Sequence, residues 1–145
     1  MTVQVNPYLN FPGNAEEAFE FYRSVFGGEL SSAVRFADMP MEGVEIPPGD
    51  QGKMMHIALP LGEDSILMAT DVLESLGQQL VPGNNSYVSL HPESREEADR
   101  IYQGLSQGAD VEMPIGEQVW GDYFGSLKDK FGVRWMINYS PPREG

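Results

Sequence analysis

Apolar side chains recur at helical spacing in two stretches of the chain, NAEEAFEFYRSVF and SREEADRIYQGL. Asn14 with Glu17, and Ser94 with Glu97, have the spacing of a capping box, so a helix is predicted to begin at each pair. Both stretches contain Glu-Glu-Ala with a Tyr four positions after the Ala, so the two predicted helices share a sequence pattern. The predicted buried faces are Ala18, Phe21, Tyr22 and Val25 in the first helix, and Ala98, Ile101, Tyr102 and Leu105 in the second.

Strand patterns surround the two helices in the same order. Alternating apolar positions predict a first strand over 3–11, which ends before the turn Pro-Gly-Asn. Two amphipathic helices can match by chance, but the order strand, helix, strand, strand, strand in both halves favours a duplication. The predicted modules are 1–71 and 84–140, joined by a linker of 72–83, and the further predicted strands are 30–36, 53–61, 65–71, 86–91, 110–115 and a hairpin within 121–139.

The composition removes several classes of function. The 145 residues include no cysteine, which excludes disulfides, thiolate metal sites and cysteine nucleophiles and suits a reducing cytoplasm. Nine basic against 22 acidic residues give a formal net charge of −13, which opposes binding to nucleic acid or to an anionic membrane surface. Neither a signal peptide nor a membrane span is apparent. We therefore expect a soluble cytoplasmic protein with one domain over 1–145 and no nucleic-acid or membrane partner.

Three segments are informative as whole motifs: NPYLNFPGNAEEAFEFYRSVFGGEL, MHIALPLGEDSILMATD and VWGDYFGSLKDKFGVRWMINY, of which W-G-x-x-F-G at 120–125 and D-K-F-G-V-R-W-M-I-N at 129–138 are the most specific parts. They resemble the PhnB-like branch of the vicinal oxygen chelate superfamily, which includes glyoxalase I, bleomycin-resistance proteins and extradiol dioxygenases. The resemblance covers nearly the whole chain. It implies an α+β fold of tandem βαβββ modules whose mixed sheets curl around a cavity, often in a homodimer.

The resemblance also implies where a metal would be held. Enzymes of the superfamily typically take four ligands, His, Glu or Gln, from the first and last strands of each module. Carried onto this sequence, the four positions fall at Pro7 or Tyr8, Leu67 or Met68, Ser86 or Tyr87, and Trp135 or Met136. None of these residues is a His or a carboxylate, and Met suits softer ions such as Cu(I), so we expect no metal and no other cofactor.

His56 is the candidate catalytic residue. It lies among apolar residues of the third predicted strand, and a histidine that faces a cavity can act as a general base or orient a ligand. The alternative is a strand histidine that is packed and satisfied by a neighbouring backbone group. The sequence contains no nucleophile motif that would supply a partner for it.

A second set of side chains is suited to lining a ligand site. Met and aromatic residues form adaptable apolar surfaces, and several of these residues occupy the positions where relatives place metal ligands. The alternative is that they belong to an ordinary core. The candidate ligand-binding residues are Tyr8, Asn10, Met68, Tyr87, Trp120, Phe124 and Met136.

Two functions remain open at this point. The first is a metal-independent, dimeric protein that binds a small, partly apolar or aromatic molecule, as the bleomycin-resistance branch does. The second is a glyoxalase-like lyase or isomerase, or a dioxygenase-related enzyme, which uses the same cavity with His56 as general base. The Pro- and Gly-rich segment 38–52 is expected to be an irregular loop that covers either a ligand or a dimer partner.

Overall fold

The computed structural model describes residues 3–142 and contains the predicted order of elements twice. It separates into two compact units, Met1–Val81 and Pro82–Gly145. The first unit consists of β1 (Tyr8–Phe11), α1 (Ala15–Phe26), β2 (Ser32–Arg35), β3 (Met54–Leu61) and β4 (Ser65–Asp71). The second consists of β5 (Val88–Leu90), α2 (Arg95–Leu105), β6 (Asp110–Glu117), β7 (Tyr123–Lys128) and β8 (Arg134–Tyr139).

Each unit contains one four-stranded mixed sheet, and the two sheets have the same topology. The strand order is β1-β4-β3-β2 in the first sheet and β5-β8-β7-β6 in the second. In both, the first and last strands of the unit pair in parallel and the remaining pairs are antiparallel. The predicted α+β class with two βαβββ modules is therefore confirmed.

In the first unit, α1 packs on one face of the sheet through a row of small and aromatic side chains. Phe19 and Tyr22 are fully buried, and the rings of Phe11 and Phe19 meet edge to face with centroids 6.3 Å apart. Phe21, predicted for the buried face, is only partly covered. Packing against the sheet instead buries Phe19, two positions earlier, together with Tyr22. The sheet residues buried on this side include Ile57, Leu59, Leu67 and Ala69.

The start of α1 is held by Asp71 and not by the predicted Asn14 capping box. The Asn14 side chain makes no capping hydrogen bond, and its buried Oδ1 atom has no partner. Instead, the backbone N–H groups of Gly13 and Ala15 donate to Oδ1 of Asp71, at 3.2 and 2.9 Å, and that of Met54 donates to Oδ2 at 2.8 Å. A buried carboxylate at the end of β4 thus joins the helix start to the start of β3.

The first strand is much shorter than the predicted 3–11. Only Tyr8–Phe11 pairs with β4, and the side chains of Val3 and Val5 are 76% and 88% exposed. Pro7 carries no N–H, which interrupts a ladder of backbone hydrogen bonds. Just before Pro7, the Asn6 side chain makes the hydrogen bond to β4 in place of a backbone carbonyl, because its Oδ1 accepts the N–H of Ile66 at 3.0 Å.

In the second unit, the predicted cap of α2 is present. Ser94 Oγ accepts the N–H of Glu97 at 3.0 Å, while the Glu97 side chain accepts the N–H of Glu93 and not that of Ser94. All four predicted face residues of α2 are buried, and Leu127, Trp135 and Ile137 are fully buried in the sheet beneath. None of the helices that residues 3–142 form is long and apolar enough to cross a membrane.

Candidate functional site

The candidate residues of the first unit share the face of the sheet that points away from α1. Successive side chains of a strand alternate between the two faces, and Phe11 and Leu67 lie under the helix. Tyr8, Asn10, His56 and Met68 therefore lie on the opposite side, which we call the helix-free face of the first sheet. Tyr8 and Met68 are direct partners in the parallel pairing of β1 with β4.

Tyr8 and His56 approach each other across this face. Their strands, β1 and β3, are separated by β4, yet the Tyr8 hydroxyl lies 3.5 Å from Nδ1 of His56. The two ring centroids are 5.9 Å apart and the rings are tilted by 34°. When Nε2 carries the ring proton, the hydroxyl donates to Nδ1, and when Nδ1 carries it, the ring N–H donates to the hydroxyl oxygen, so the contact orients the ring in either tautomer. Tyr8 is thus a partner of His56 that is 48 residues away in sequence.

The second sheet also has a helix-free face, defined by the residues that alternate with its buried ones. Because Trp135 and Ile137 lie under α2, Met136 and Asn138 lie on the other side. Phe124 pairs with Asn138 in the antiparallel register of β7 and β8, so it shares this face. The Trp120 ring, in the turn before β7, meets the Phe124 ring edge to face at 5.8 Å.

Tyr87 belongs to a charged network on the same sheet, which the sequence did not indicate. Its hydroxyl donates to both carboxylate oxygens of Glu112 at 3.0 Å. Arg134 Nη1 donates to Glu112 Oε2 at 2.9 Å, and the guanidinium carbon lies 5.9 Å from the centre of the Tyr87 ring. Tyr87 directly precedes β5, Arg134 lies in β8 and Glu112 lies in β6, so their contact depends on the order of the strands in the sheet.

The segment 38–52, predicted to be irregular, follows a 3-10 turn at Phe36–Asp38, contains another at Pro48–Asp50 and is anchored near its C-terminal end. Arg35 Nη1 donates to the Gly52 carbonyl at 2.8 Å, and a hydrogen bond from the same guanidinium to Glu16 raises the pKa of Arg35. At the same end, Asp50 accepts from Lys53 Nζ at 2.7 Å and from the Ser75 hydroxyl. These bonds, that of Lys53 first, lower the pKa of Asp50.

The side chains at the superfamily's metal positions do not fit a divalent metal. Leu67 and Trp135 are fully buried on the helix sides of their sheets, so the helix-free faces present Tyr8, Met68, Tyr87 and Met136 at or beside these positions. Phenol and thioether groups are poor ligands for the hard or borderline divalent ions. Within residues 3–142, no group of three or more His, Cys, Asp or Glu side chains is arranged to hold a metal ion.

Comparison with known proteins places this architecture among established relatives. The model of the Glyoxalase/Bleomycin resistance protein/Dioxygenase superfamily matches residues 4–137. Protein YjdN of Escherichia coli K12 is 30% identical over 139 residues, which cover 92% of this chain and 93% of that protein. Among solved structures, protein PA1353 from Pseudomonas aeruginosa is 35% identical with a TM-score of 0.83, covering 96% of this chain and 98% of that one. The PhnB protein from Bacillus cereus is 28% identical with a TM-score of 0.74, covering 95% and 100%.

Proposed function

The chain belongs to the glyoxalase/bleomycin resistance protein/dioxygenase superfamily, and on that premise we propose that it binds a small, partly apolar or aromatic molecule without a metal. The observation that carries the proposal is the content of the two helix-free faces. Where enzymes of the superfamily would hold metal ligands, these faces carry Tyr8 paired with Met68 and, on the second sheet, Tyr87 and Met136.

Thioether and aromatic side chains favour an apolar ligand for physical reasons. Met adapts its shape through three rotatable bonds, and a sulfur at the edge of an aromatic ring contributes about 0.3–1.5 kcal/mol. Met68 and Met136 are each partly exposed, so a ligand can remove further apolar surface from water at about 25 cal/mol per Å². Asn10, which is exposed beside Tyr8, supplies a polar group that can orient such a ligand.

The proposal is tested by titrating the protein with 2-naphthol in the presence of EDTA and following the methionine methyl groups by NMR. A neutral aromatic probe of this size is expected to bind with a Kd on the order of 1 mM. The methyl signals of Met68 and Met136 should move, whereas that of Met39, which is half exposed in the 38–52 segment, should not.

Matched variants make the assignment specific. Met68→Gln keeps the length of the side chain and removes the apolar end, so we expect binding to weaken by about fivefold, the loss of roughly 1 kcal/mol. Met39→Gln should leave the affinity unchanged. If 2-naphthol moves neither Met68 nor Met136, or binds only after a divalent metal is added, the proposal is wrong.

The contact between Tyr8 and His56 favours a second candidate function, an enzyme with His56 as general base. With the ring proton on Nδ1, the imidazole donates to the Tyr8 hydroxyl oxygen 3.5 Å away, which orients the ring and leaves Nε2 unprotonated to accept a substrate proton. The test is exchange of the methyl protons of acetophenone in D₂O. An enzyme should lose about 10² of its exchange rate in His56→Gln and a smaller part in Tyr8→Phe. A rate equal to that of buffer, unchanged in both variants, would leave binding as the function.

We also propose that the protein acts as a homodimer in the cytoplasm. The dimer is supported by the superfamily resemblance, and the cytoplasm by the complete absence of cysteine from the 145 residues. Light scattering on the purified chain and fractionation of the source cells test the two proposals separately.

A further inference from the structure

One end of the helix-free face of the second sheet brings together two aromatic rings, an amide and a carboxylate. Asn138 lies opposite Phe124 in the strand register, and its Nδ2 donates to Asp122 Oδ2 at 3.1 Å. The Asp122 carboxylate therefore lies on the same face as Phe124, whose ring is met edge to face by Trp120. Trp120 is half exposed and Asp122 is partly buried, so the group is reachable from solvent.

Within residues 3–142, no cation balances Asp122, in contrast to the acidic residues of β6. Glu112 pairs with Arg134 at 2.9 Å and Asp110 with Lys128 at 3.6 Å. In contrast, no lysine or arginine in the part of the chain between residues 3 and 142 forms an ion pair with Asp122. A carboxylate has about four acceptor sites, and the Asn138 amide uses one of them.

We propose that this end of the face binds the ammonium group of a small organic amine, whose apolar body then lies along Phe124 and Met136. The inference rests on the proposed function and adds the charge class of the ligand. Asp122 provides a charge-assisted hydrogen bond, and the adjacent aromatic rings attract a cation through their faces. The formal net charge of −13 raises the local concentration of cations around the chain.

The rest of the face favours a ligand with a single positive charge. Phe124 pairs with Asn138, Ser126 with Met136, and Lys128 with Arg134. The face therefore runs from Asp122 past Phe124 and Met136 to the ion pair of Arg134 with Glu112. That ion pair is internally neutral. Among residues 3–142, the only unbalanced charge on this face is therefore at the Asp122 end.

Three phenyl probes of nearly equal size and different charge test this inference. 2-Phenylethylamine is a cation at neutral pH, 2-phenylethanol is neutral and phenylacetate is an anion. The chain contains two Trp residues, so NMR resolves two indole N–H signals. Trp120 reports on the site, and Trp135, which is fully buried and bonded to Asp129 at 2.8 Å, serves as the internal reference.

We expect 2-phenylethylamine to move the Trp120 signal with a Kd on the order of 1 mM and to leave Trp135 unchanged. Asp122→Asn keeps the shape and an acceptor for Asn138, and it should weaken amine binding by at least about tenfold, the effect of losing a charged hydrogen-bond partner. Asp110→Asn removes the same charge at an exposed position of β6 and should change the affinity by less than about twofold.

The other outcomes each overturn a distinct claim. If 2-phenylethanol binds as well as the amine and Asp122→Asn has no more effect than Asp110→Asn, the inference that the ligand is a cation is wrong. The proposed binding function then still stands. If KCl at the same concentration moves the Trp120 signal equally, the site takes any small cation and the amine inference is wrong. If none of the three probes moves Trp120, this end of the face is no binding site, and the 2-naphthol titration decides the proposed function by itself.

Discussion

Replacing Asp71 by asparagine should destabilise the protein by about 3 kcal/mol. The carboxylate is 2% exposed and accepts three backbone N–H groups, from Gly13, Ala15 and Met54. An asparagine oxygen can serve the first two, but its NH₂ group then faces the N–H of Met54. One hydrogen bond to a charged group is lost, worth about 1.5–3 kcal/mol. The negative charge at the start of α1 is lost as well, and it contributes about 0.3–1 kcal/mol to the helix.

Urea unfolding followed by circular dichroism measures this effect, with Asp64→Asn as the control. Asp64 is exposed in the turn between β3 and β4, so its substitution removes a charge of the same sign without a buried hydrogen bond. The control should stay within about 0.5 kcal/mol of the wild type. If Asp71→Asn also stays within this range of the wild type, the reasoning is refuted, because Asp71 then does not join α1 to the sheet that positions Tyr8 and His56.

Three further predictions concern titrating groups and assembly. Lys53 and Ser75 lower the pKa of Asp50, so the contribution of Asp50 to stability is present above about pH 4 and is lost as the pH falls further. Below about pH 4, the melting temperature of Asp50→Asn should therefore depend less on pH than that of the wild type. A hydrogen bond to Asp99 raises the pKa of Tyr123, so its stabilisation is present below about pH 10 and lost above, and Asp99→Asn should lower the pKa of Tyr123 in a tyrosine absorbance titration. Light scattering should give twice the 16.1 kDa of one chain, and a mass of one chain would contradict the homodimer.

Features that depend on neighbours in sequence could be predicted, and α2 is the clearest case. Its Ser94 cap and its four buried residues are all close together in sequence, so the spacing of these residues is enough to predict the start of the helix and its buried face. The start of α1 could not be predicted in the same way. Asp71 lies 56 residues after Ala15, and nothing in the local sequence shows that it displaces Asn14 as the cap.

The first strand and the candidate site show the same limit. Period-2 alternation indicates that a segment can form a strand but not whether a partner strand is present, so 3–11 was predicted where only Tyr8–Phe11 is paired. The residues of the helix-free faces could be nominated from the resemblance, because Tyr8 and Met68 fall at first and last strands. The contacts of Tyr8 with His56 and of Tyr87 with Arg134 depend on the order of the strands within each sheet. The residue pattern along the chain did not predict that order.

Elemental analysis of the purified protein, together with its melting temperature in added Ni²⁺, Zn²⁺, Fe²⁺ and Mn²⁺, tests the central claim most directly. A metal that binds the folded chain stabilises it by about 2.7 kcal/mol at one hundred times its Kd, which a melting curve detects readily. With Tyr8, Met68, Tyr87 and Met136 at the metal positions, we predict metal well below one equivalent per chain and a melting temperature indifferent to all four ions. One equivalent of metal that raises the melting temperature would contradict metal-independent binding and favour the enzyme.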